Sequence, residues 1–280
     1  MNKKKMEEFK ISVIMSCYNS EKTVILAIES VISQTHKNWE LIIVDDCSTD
    51  NSVTTINTIK DSRVKLFQHN TNLGCGWARR TGIANLTGEY TMFLDSDDTL
   101  PKDAMDNLLK AAIENDADLT TGGYTSINND TKINKIPTAD ICEGITKFKV
   151  DKSDSLRFLW THLIKSTMWE TVSYSPERFI EDTPTLVCLL HIANKRVIID
   201  KSVYNYYQYD NSLIHSSSKL KNYVYECLCV IKCKKFIGDS YPMQIVMQKL
   251  LQLATYNGKD KKTEYINERK RILEYLKEIL

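Results

Sequence analysis

Apolar residues over the first 124 positions fall into two patterns that take turns along the chain. Ile11 to Cys17 (ISVIMSC) is a short, β-branched, continuous apolar run ended by Tyr18-Asn19-Ser20, which predicts a buried strand. Val24, Ile25, Ile28, Val31 and Ile32 then recur at helical spacing, with Ser20 placed to cap the helix. Leu41 to Val44 reads as the next strand, cut off by Asp45-Asp46-Cys47-Ser48, and Ser48 or Asp50 starts a second helix carrying Val53, Ile56 and Ile59. Further strands are expected at Val64 to Phe67, Tyr90 to Leu94 and Leu119 to Gly122, with helices from about Gly76 to Leu86 and from Pro101 to about Asn115. Such alternation predicts an α/β fold, a mostly parallel sheet flanked by helices, whose ligands bind beyond the carboxyl ends of the strands. Tyr18, Asp45, Asp46, Asp95, Asp97 and Asp98 all fall at such ends and are expected on one rim.

From about 125 to 215 the pattern loosens into short apolar stretches such as Arg196 to Ile199. Beyond Lys219 the spacing of Tyr223, Val224, Leu228, Ile231, Ile245, Val246, Leu250 and Leu253 suggests helices. The tail from Asp260 reads as a charged amphipathic helix packed through Tyr265, Ile266, Ile272 and Leu276, or else docking a partner or a membrane surface. The expected division is an α/β domain over 1–215 and a C-terminal helical extension over 216–280.

Charge and composition narrow the partners. The 37 Lys and Arg against 36 Asp and Glu leave a net charge of +1, which excludes a whole-protein field that gathers nucleic acid. No apolar run reaches the roughly 18 residues that span a bilayer, and the opening MNKKKMEEFK lacks the apolar stretch of a secretory signal. A cytoplasmic protein is expected, with peripheral contact to the inner face of the membrane, through basic residues such as Lys261, Lys262, Arg269 and Arg271, as its route to a bilayer. The 8 cysteines show no CxxC or zinc-finger spacing, sit mostly in apolar segments and read as buried, reduced thiols.

The chemistry concentrates at Asp95-Ser96-Asp97-Asp98. Neighbouring carboxylates about 4 Å apart repel by on the order of 1 to 4 kcal/mol per pair near a protein surface, so a compensating cation is expected. Hard divalent ions such as Mn²⁺ or Mg²⁺ prefer carboxylate oxygen and keep positions open for substrate phosphate. Taken alone, the cluster also serves as an acidic helix start ahead of Pro101. With Tyr18 as an aromatic platform for a base and Asp45 and Asp46 as acceptors for its N–H groups and ribose hydroxyls, a nucleotide diphosphate becomes the better reading.

The segments SVIMSCYNS, SVISQTHKNWELIIVDDCSTDNS, NLGCGWARRTGIANLTGEYTMFLDSDD and ERFIEDTPTLVCLLHIANKRVIIDKSVYNYYQYDNSLIHS resemble the family 2 glycosyltransferases of the Rossmann-like GT-A fold, in the family's order over roughly residues 10 to 215. The chain departs from the usual pattern at Arg80, where Asn is common, and at Ser16, where Pro is common. The resemblance implies a nucleotide-sugar donor, most often a UDP-sugar, and a saccharide, lipid-linked or protein-linked acceptor in polysaccharide or glycoconjugate synthesis. It implies that Tyr18 stacks on the base, that Asp46 with Asp45 beside it accepts from base or ribose, and that Asn72 and Arg79 line the nucleotide pocket. Asp95 and Asp97 would form the DxD motif, with Asp97 or Asp98 on the metal and Asp95 nearer the ribose or sugar. His215 would approach the diphosphate or metal.

Inversion at the anomeric carbon needs a carboxylate opposite the leaving diphosphate, worth roughly 10² to 10⁴ in rate. Glu181-Asp182, in RFIEDTP, resembles the family's acidic pair, and the resemblance implies Asp182 as base and Glu181 as its neighbour or an acceptor contact; an N-cap before Pro184 is the structural alternative for Asp182. Trp160, Trp169 and Tyr174 read as core rather than as sugar platforms. Two other functions stay open: a nucleotidyltransferase, although ISVIMSCYNSEKT carries no Gly-rich phosphate loop, and a non-catalytic nucleotide-sugar-binding subunit.

Overall fold

Continuous β-branched runs that would be insoluble on a surface become the middle of a sheet here. In the computed structural model, which describes residues 3–128, 131–143, 158–174 and 182–209 together with Cys233 and Phe236, β1 (Ile11–Cys17), β2 (Trp39–Asp45) and β4 (Tyr90–Asp95) are almost wholly buried. With β3 (Val64–Gln68) they form a parallel set in the order β3-β2-β1-β4. Helices connect them: α2 (Val24–Ile32), α3 (Ser52–Ile56), α4 (Cys75–Ala84) and, after β4, α5 (Ala104–Asn115), with a short α1 (Lys3–Met6) ahead of β1. α2 buries Val24, Ala27, Ile28 and Val31, the stripe its sequence spacing predicts.

Register puts the strand ends level. Cys17 pairs with Asp45 and Ser16 with Asp95, so Tyr18, Asp46 and the Asp95–Asp98 turn leave the sheet side by side. The start of α2 and the end of α3 differ from the sequence expectation. The Ser20 hydroxyl bonds the Ser96 hydroxyl at 2.7 Å and gives α2 no side-chain cap, while Asp50 accepts the Ser52 N–H at 2.9 Å ahead of an α3 that stops before Ile59. The Ser20–Ser96 bond ties the ends of β1 and β4 together.

The second half extends the same sheet. β5 (Leu119–Asn128), β6 (Thr131–Lys135), β7 (Asp140–Glu143), β8 (His162–Lys165) and β9 (Lys195–Tyr207) bring it to nine strands in the order β3-β2-β1-β4-β8-β5-β9-β7, with β6 on β5. β8 wedges antiparallel between β4 and β5, and its four residues are too few to show a period in the sequence. β9 runs far beyond the apolar stretch at Arg196 to Ile199, because the polar Asp200, Lys201 and Ser202 interrupt the pattern without ending the strand. The β5–β9 register shifts at Gly123, where an added Cβ would stand 2.5 Å from the Lys135 carbonyl oxygen.

α6 (Asp182–Ile192) packs Leu186, Leu189 and Leu190 into the core. Cys188 on this helix hydrogen-bonds the buried Cys233, and that contact together with burial pushes the Cys188 thiol up. The described cysteines are free thiols, but only Cys17, Cys188 and Cys233 are buried as expected; Cys47, Cys75 and Cys142 are half-buried. Aside from Cys233 and Phe236, the expected helical extension over 216–280 lies outside the described residues. Among the described residues no helix is long and apolar enough to cross a membrane.

One buried charge locks the base of the sheet. Glu40 on β2 is 1% exposed, and its Oε1 accepts from Ser12 Oγ (2.7 Å), Thr87 N (2.7 Å) and Thr87 Oγ1 (2.8 Å) while Oε2 meets Lys65 Nζ at 2.7 Å. Burial alone would raise its pKa; the Lys65, Ser12 and Thr87 hydrogen bonds outweigh it and bring Glu40 down to about 2. Because the folded value lies below the unfolded one, this stabilisation is complete above the ordinary carboxylate range and fades as pH falls toward 2. Glu40→Gln is therefore expected to cost about 2 kcal/mol at pH 7 in urea unfolding, with the gap to wild type closing on acidification. A gap that stays constant down to pH 3 would contradict the assignment.

Candidate active site

Each strand end delivers a different group to the rim. Tyr18 follows β1 with its ring 48% exposed, next to Asn19 in the left-handed region (φ 50°). Asn19 Oδ1 accepts the Thr49 N–H at 2.8 Å, which joins this turn to the one after β2. Asp45 closes β2; its Oδ2 accepts the Ser48 N–H at 3.1 Å, while its Oδ1 is buried with no hydrogen-bond partner. An unpaired buried carboxylate oxygen is costly and calls for a donor.

Asp46, expected as an acceptor for base or ribose, is engaged within the chain. Its Oδ1 accepts from Leu73 N at 2.9 Å and stands 2.7 Å from His69 Nδ1, its Oδ2 accepts from Gly74 N at 2.6 Å, and its backbone carbonyl accepts from Asn72 Nδ2 at 3.2 Å. Both oxygens are thus taken up in shaping the 69–74 loop, which Gly74 turns with φ 99° into α4. Asn72 is exposed on that loop. His69, which carries no signal in the sequence, completes the brace by reaching Thr81 Oγ1 with Nε2 at 2.9 Å.

Arg79, on α4, is 4% exposed rather than lining an open pocket. Its Nη2 donates to Asp95 Oδ1 at 2.6 Å, its Nη1 donates to Tyr174 Oη at 2.7 Å, and the same Nη1 also donates to Asp182 Oδ1. Burial alone would favour losing the proton, but the Asp182 and Asp95 charges hold the guanidinium firmly charged. One side chain thereby joins the end of β4 to the start of α6, with Arg79 and Asp182 themselves 103 positions apart in sequence. Arg80 points elsewhere, its guanidinium 5.2 Å from the exposed Trp77 ring.

The three carboxylates after β4 separate in role. Asp95 keeps 28% of its side chain exposed, and its N–H donates to Tyr204 Oη at 3.1 Å. Asp97 opens to solvent, yet partial desolvation at the rim and then the Asp95 charge push it up to about 6. Asp98, expected as a metal ligand alternative, turns inward: it is 2% exposed, accepts from Tyr204 Oη at 2.9 Å and from Tyr207 N at 2.8 Å, and so anchors the turn to β9. Asp97 is exposed at the rim and Asp95 half-buried beside it, with its Oδ1 held by Arg79; among the described residues no cluster of three or more His, Cys, Asp or Glu side chains could hold a metal ion.

Asp182 opens α6 with 19% of its side chain exposed. Burial raises its pKa, against the lowering pull of Arg79 and the Tyr174 hydroxyl. Trp160 stacks on Phe158 (4.8 Å) and Tyr204 (4.2 Å), and Tyr174 lies against Phe93 (5.6 Å) and Trp169 (6.4 Å), the core positions expected of them. Glu181 and His215 lie outside the described residues. A separate groove of about 490 Å³ between α5 and the β7–β9 edge, lined by Lys110, Glu114, Ile141 and Lys201, holds none of these groups.

The model of glycosyl transferase family 2 matches residues 12–171. The chain is 31% identical over 211 residues to glycosyltransferase GlyA of Streptococcus pneumoniae, covering 70% of this chain and 30% of that protein. It is 35% identical over 130 residues to WfgD of Escherichia coli, a UDP-Glc:alpha-D-GlcNAc-diphosphoundecaprenol beta-1,3-glucosyltransferase, covering 46% and 51%. The chain thus spans from under a third to about half of the length of these curated relatives. Staphylococcus aureus TarS 1-349, solved with UDP-GlcNAc, superposes with a TM-score of 0.74 at 20% identity, over 94% of this chain and 79% of that one. Mannosyltransferase PcManGT of Pyrobaculum calidifontis, solved with GDP-Man and Mn²⁺, superposes with a TM-score of 0.62 at 14% identity, over 95% and 74%. The fold is accordingly GT-A, and the chain belongs to glycosyl transferase family 2.

Proposed function

We propose that this protein transfers a sugar from a nucleotide-diphosphate donor, a UDP-sugar, to an acceptor hydroxyl with inversion at the anomeric carbon, in polysaccharide or glycoconjugate synthesis at the cytoplasmic face of the membrane. The observation that carries the reading is Arg79, whose guanidinium bonds Asp95 on the donor side and Asp182 on the other. Carboxylates 87 positions apart in sequence, 95 and 182, are thereby held one guanidinium apart. The family match favours glycosyl over nucleotidyl transfer, and the TarS and WfgD names favour a uridine nucleotide and a lipid-diphosphate-linked acceptor.

The chain's own groups divide the work. Tyr18 offers an exposed ring on which a base can stack, and the unpaired Asp45 Oδ1 accepts from the base or ribose. Asp46 and His69 set the loop that frames this pocket. Asp95 and Asp97 would hold a divalent cation, Mn²⁺ or Mg²⁺, which when bound neutralises charge on the departing diphosphate. Asp182 takes the proton of the acceptor hydroxyl as that oxygen bonds to the anomeric carbon and the bond to the nucleoside diphosphate breaks on the opposite face. Arg79 stays charged and keeps the two carboxylates in fixed relation.

Two measurements test this. In thermal unfolding with UDP, Mn²⁺ is expected to add stabilisation to wild type, since a ligand that binds only the fold raises its midpoint; Asp97→Asn should abolish the Mn²⁺-dependent part. An equal Mn²⁺ response in that variant would contradict the ion assignment. With a synthetic α-GlcNAc-diphospho-lipid acceptor and UDP-glucose or UDP-GlcNAc, Asp182→Asn should lower the transfer rate roughly 10² to 10⁴-fold while UDP binding stays unchanged. Full turnover in Asp182→Asn would refute the base.

A further inference from the structure

Asp182 Oδ1 is gripped by two side chains at once, Arg79 through Nη1 and Tyr174 through Oη, and the backbone N–H of Leu159 also reaches the carboxylate. Arg79 also bonds Asp95 through its other terminal nitrogen, so the guanidinium serves both carboxylates. Tyr174 meets Asp182 from within the core. Its ring is 1% exposed and wedged against Phe93 and Trp169, with the Arg79 guanidinium 5.8 Å from its centroid. Phenylalanine would fill that space as well; the hydroxyl is the difference, and a buried hydroxyl needs partners.

The direction of its bonds is set by chemistry. A guanidinium only donates and an ionised carboxylate only accepts, so the hydroxyl oxygen accepts from Arg79 and its one proton goes to Asp182. A donor carried on a ring that packing has immobilised holds its acceptor to one orientation, which is what a proton-abstracting carboxylate needs.

We propose that Tyr174 is a positioning residue for Asp182: its core-anchored hydroxyl holds Oδ1 and so aims the carboxylate at the acceptor hydroxyl. The inference rests on Asp182 as the base and adds to it a residue that never meets substrate.

A double-mutant cycle in the full chain tests it, using UDP release from UDP-glucose and UDP-GlcNAc with Mn²⁺ and the α-GlcNAc-diphospho-lipid acceptor. Tyr174→Phe is expected to lower kcat about tenfold, as loss of one hydrogen bond to a charged group would. The donor KM should stay within about twofold and the melting temperature within a few degrees. Adding Tyr174→Phe to Asp182→Asn should cost nothing further, because a residue that acts only through the base has nothing left to act on. A Tyr174→Phe enzyme with wild-type kcat overturns the proposal, as does a rise in donor KM alone or a further tenfold loss in the double variant. Failure of the functional reading looks different: no wild-type turnover with either donor, or full turnover in Asp182→Asn, removes the base and this role with it.

Discussion

The buried Arg79 guanidinium organises the described part of this molecule. Arg79 sits in the interior of an α/β sheet protein, where a lone guanidinium would be prohibitively expensive, and it is stable there because Asp95 and Asp182 neutralise it. The dependence is mutual. Removing either partner from such a cluster costs about 3 to 5 kcal/mol, since what remains is a buried charge without its counterion. The end of β4 and the start of α6 are therefore fixed to each other by electrostatics, although the sheet itself places β8 next to β4 and leaves α6 outside the strand order.

Around that link, the acids at the strand ends sort into frame and function by where their hydrogen bonds go. Asp46 and Asp98 are satisfied by backbone N–H groups and by His69 and Tyr204, and they shape the loops. Asp45 keeps a buried oxygen unpaired, and Asp97 stands at the rim under the repulsion of Asp95. Neighbours in sequence thus differ in how they are satisfied: Asp46 and Asp98 hold the scaffold, while Asp45 keeps one buried oxygen unpaired and Asp97 is exposed.

The parallel half of the fold was legible because its strands are uninterrupted apolar runs and its helices carry a 3.6-residue stripe; β1, β2, β3 and β4 lie where Ile11, Leu41, Val64 and Tyr90 predict them. β8 and the far end of β9 were not, since a four-residue strand has no period and the Asp200-Lys201-Ser202 interruption looks like a loop. The site divides the same way. Which residues gather at the rim follows from strand ends. Whether Asp45 or Asp46 has both oxygens satisfied, whether Asp98 faces in or out, and that Arg79 is buried between two acids all depend on partners far away in sequence, such as Tyr207 and Tyr174, which local spacing cannot reveal. Nor does composition mark His69, a lone histidine in a polar loop.

The central claim is spatial: donor carboxylates and base face one bound nucleotide sugar from opposite sides of its anomeric carbon. Its most direct test is a crystal structure with a non-hydrolysable UDP-sugar and Mn²⁺. The account predicts the uracil on Tyr18, the ion on Asp97 with Asp95 beside it, and the Asp182 carboxylate across the sugar from the diphosphate. A nucleotide seated away from Asp95 and Asp97, or a sugar turned with its diphosphate toward Asp182, would contradict it.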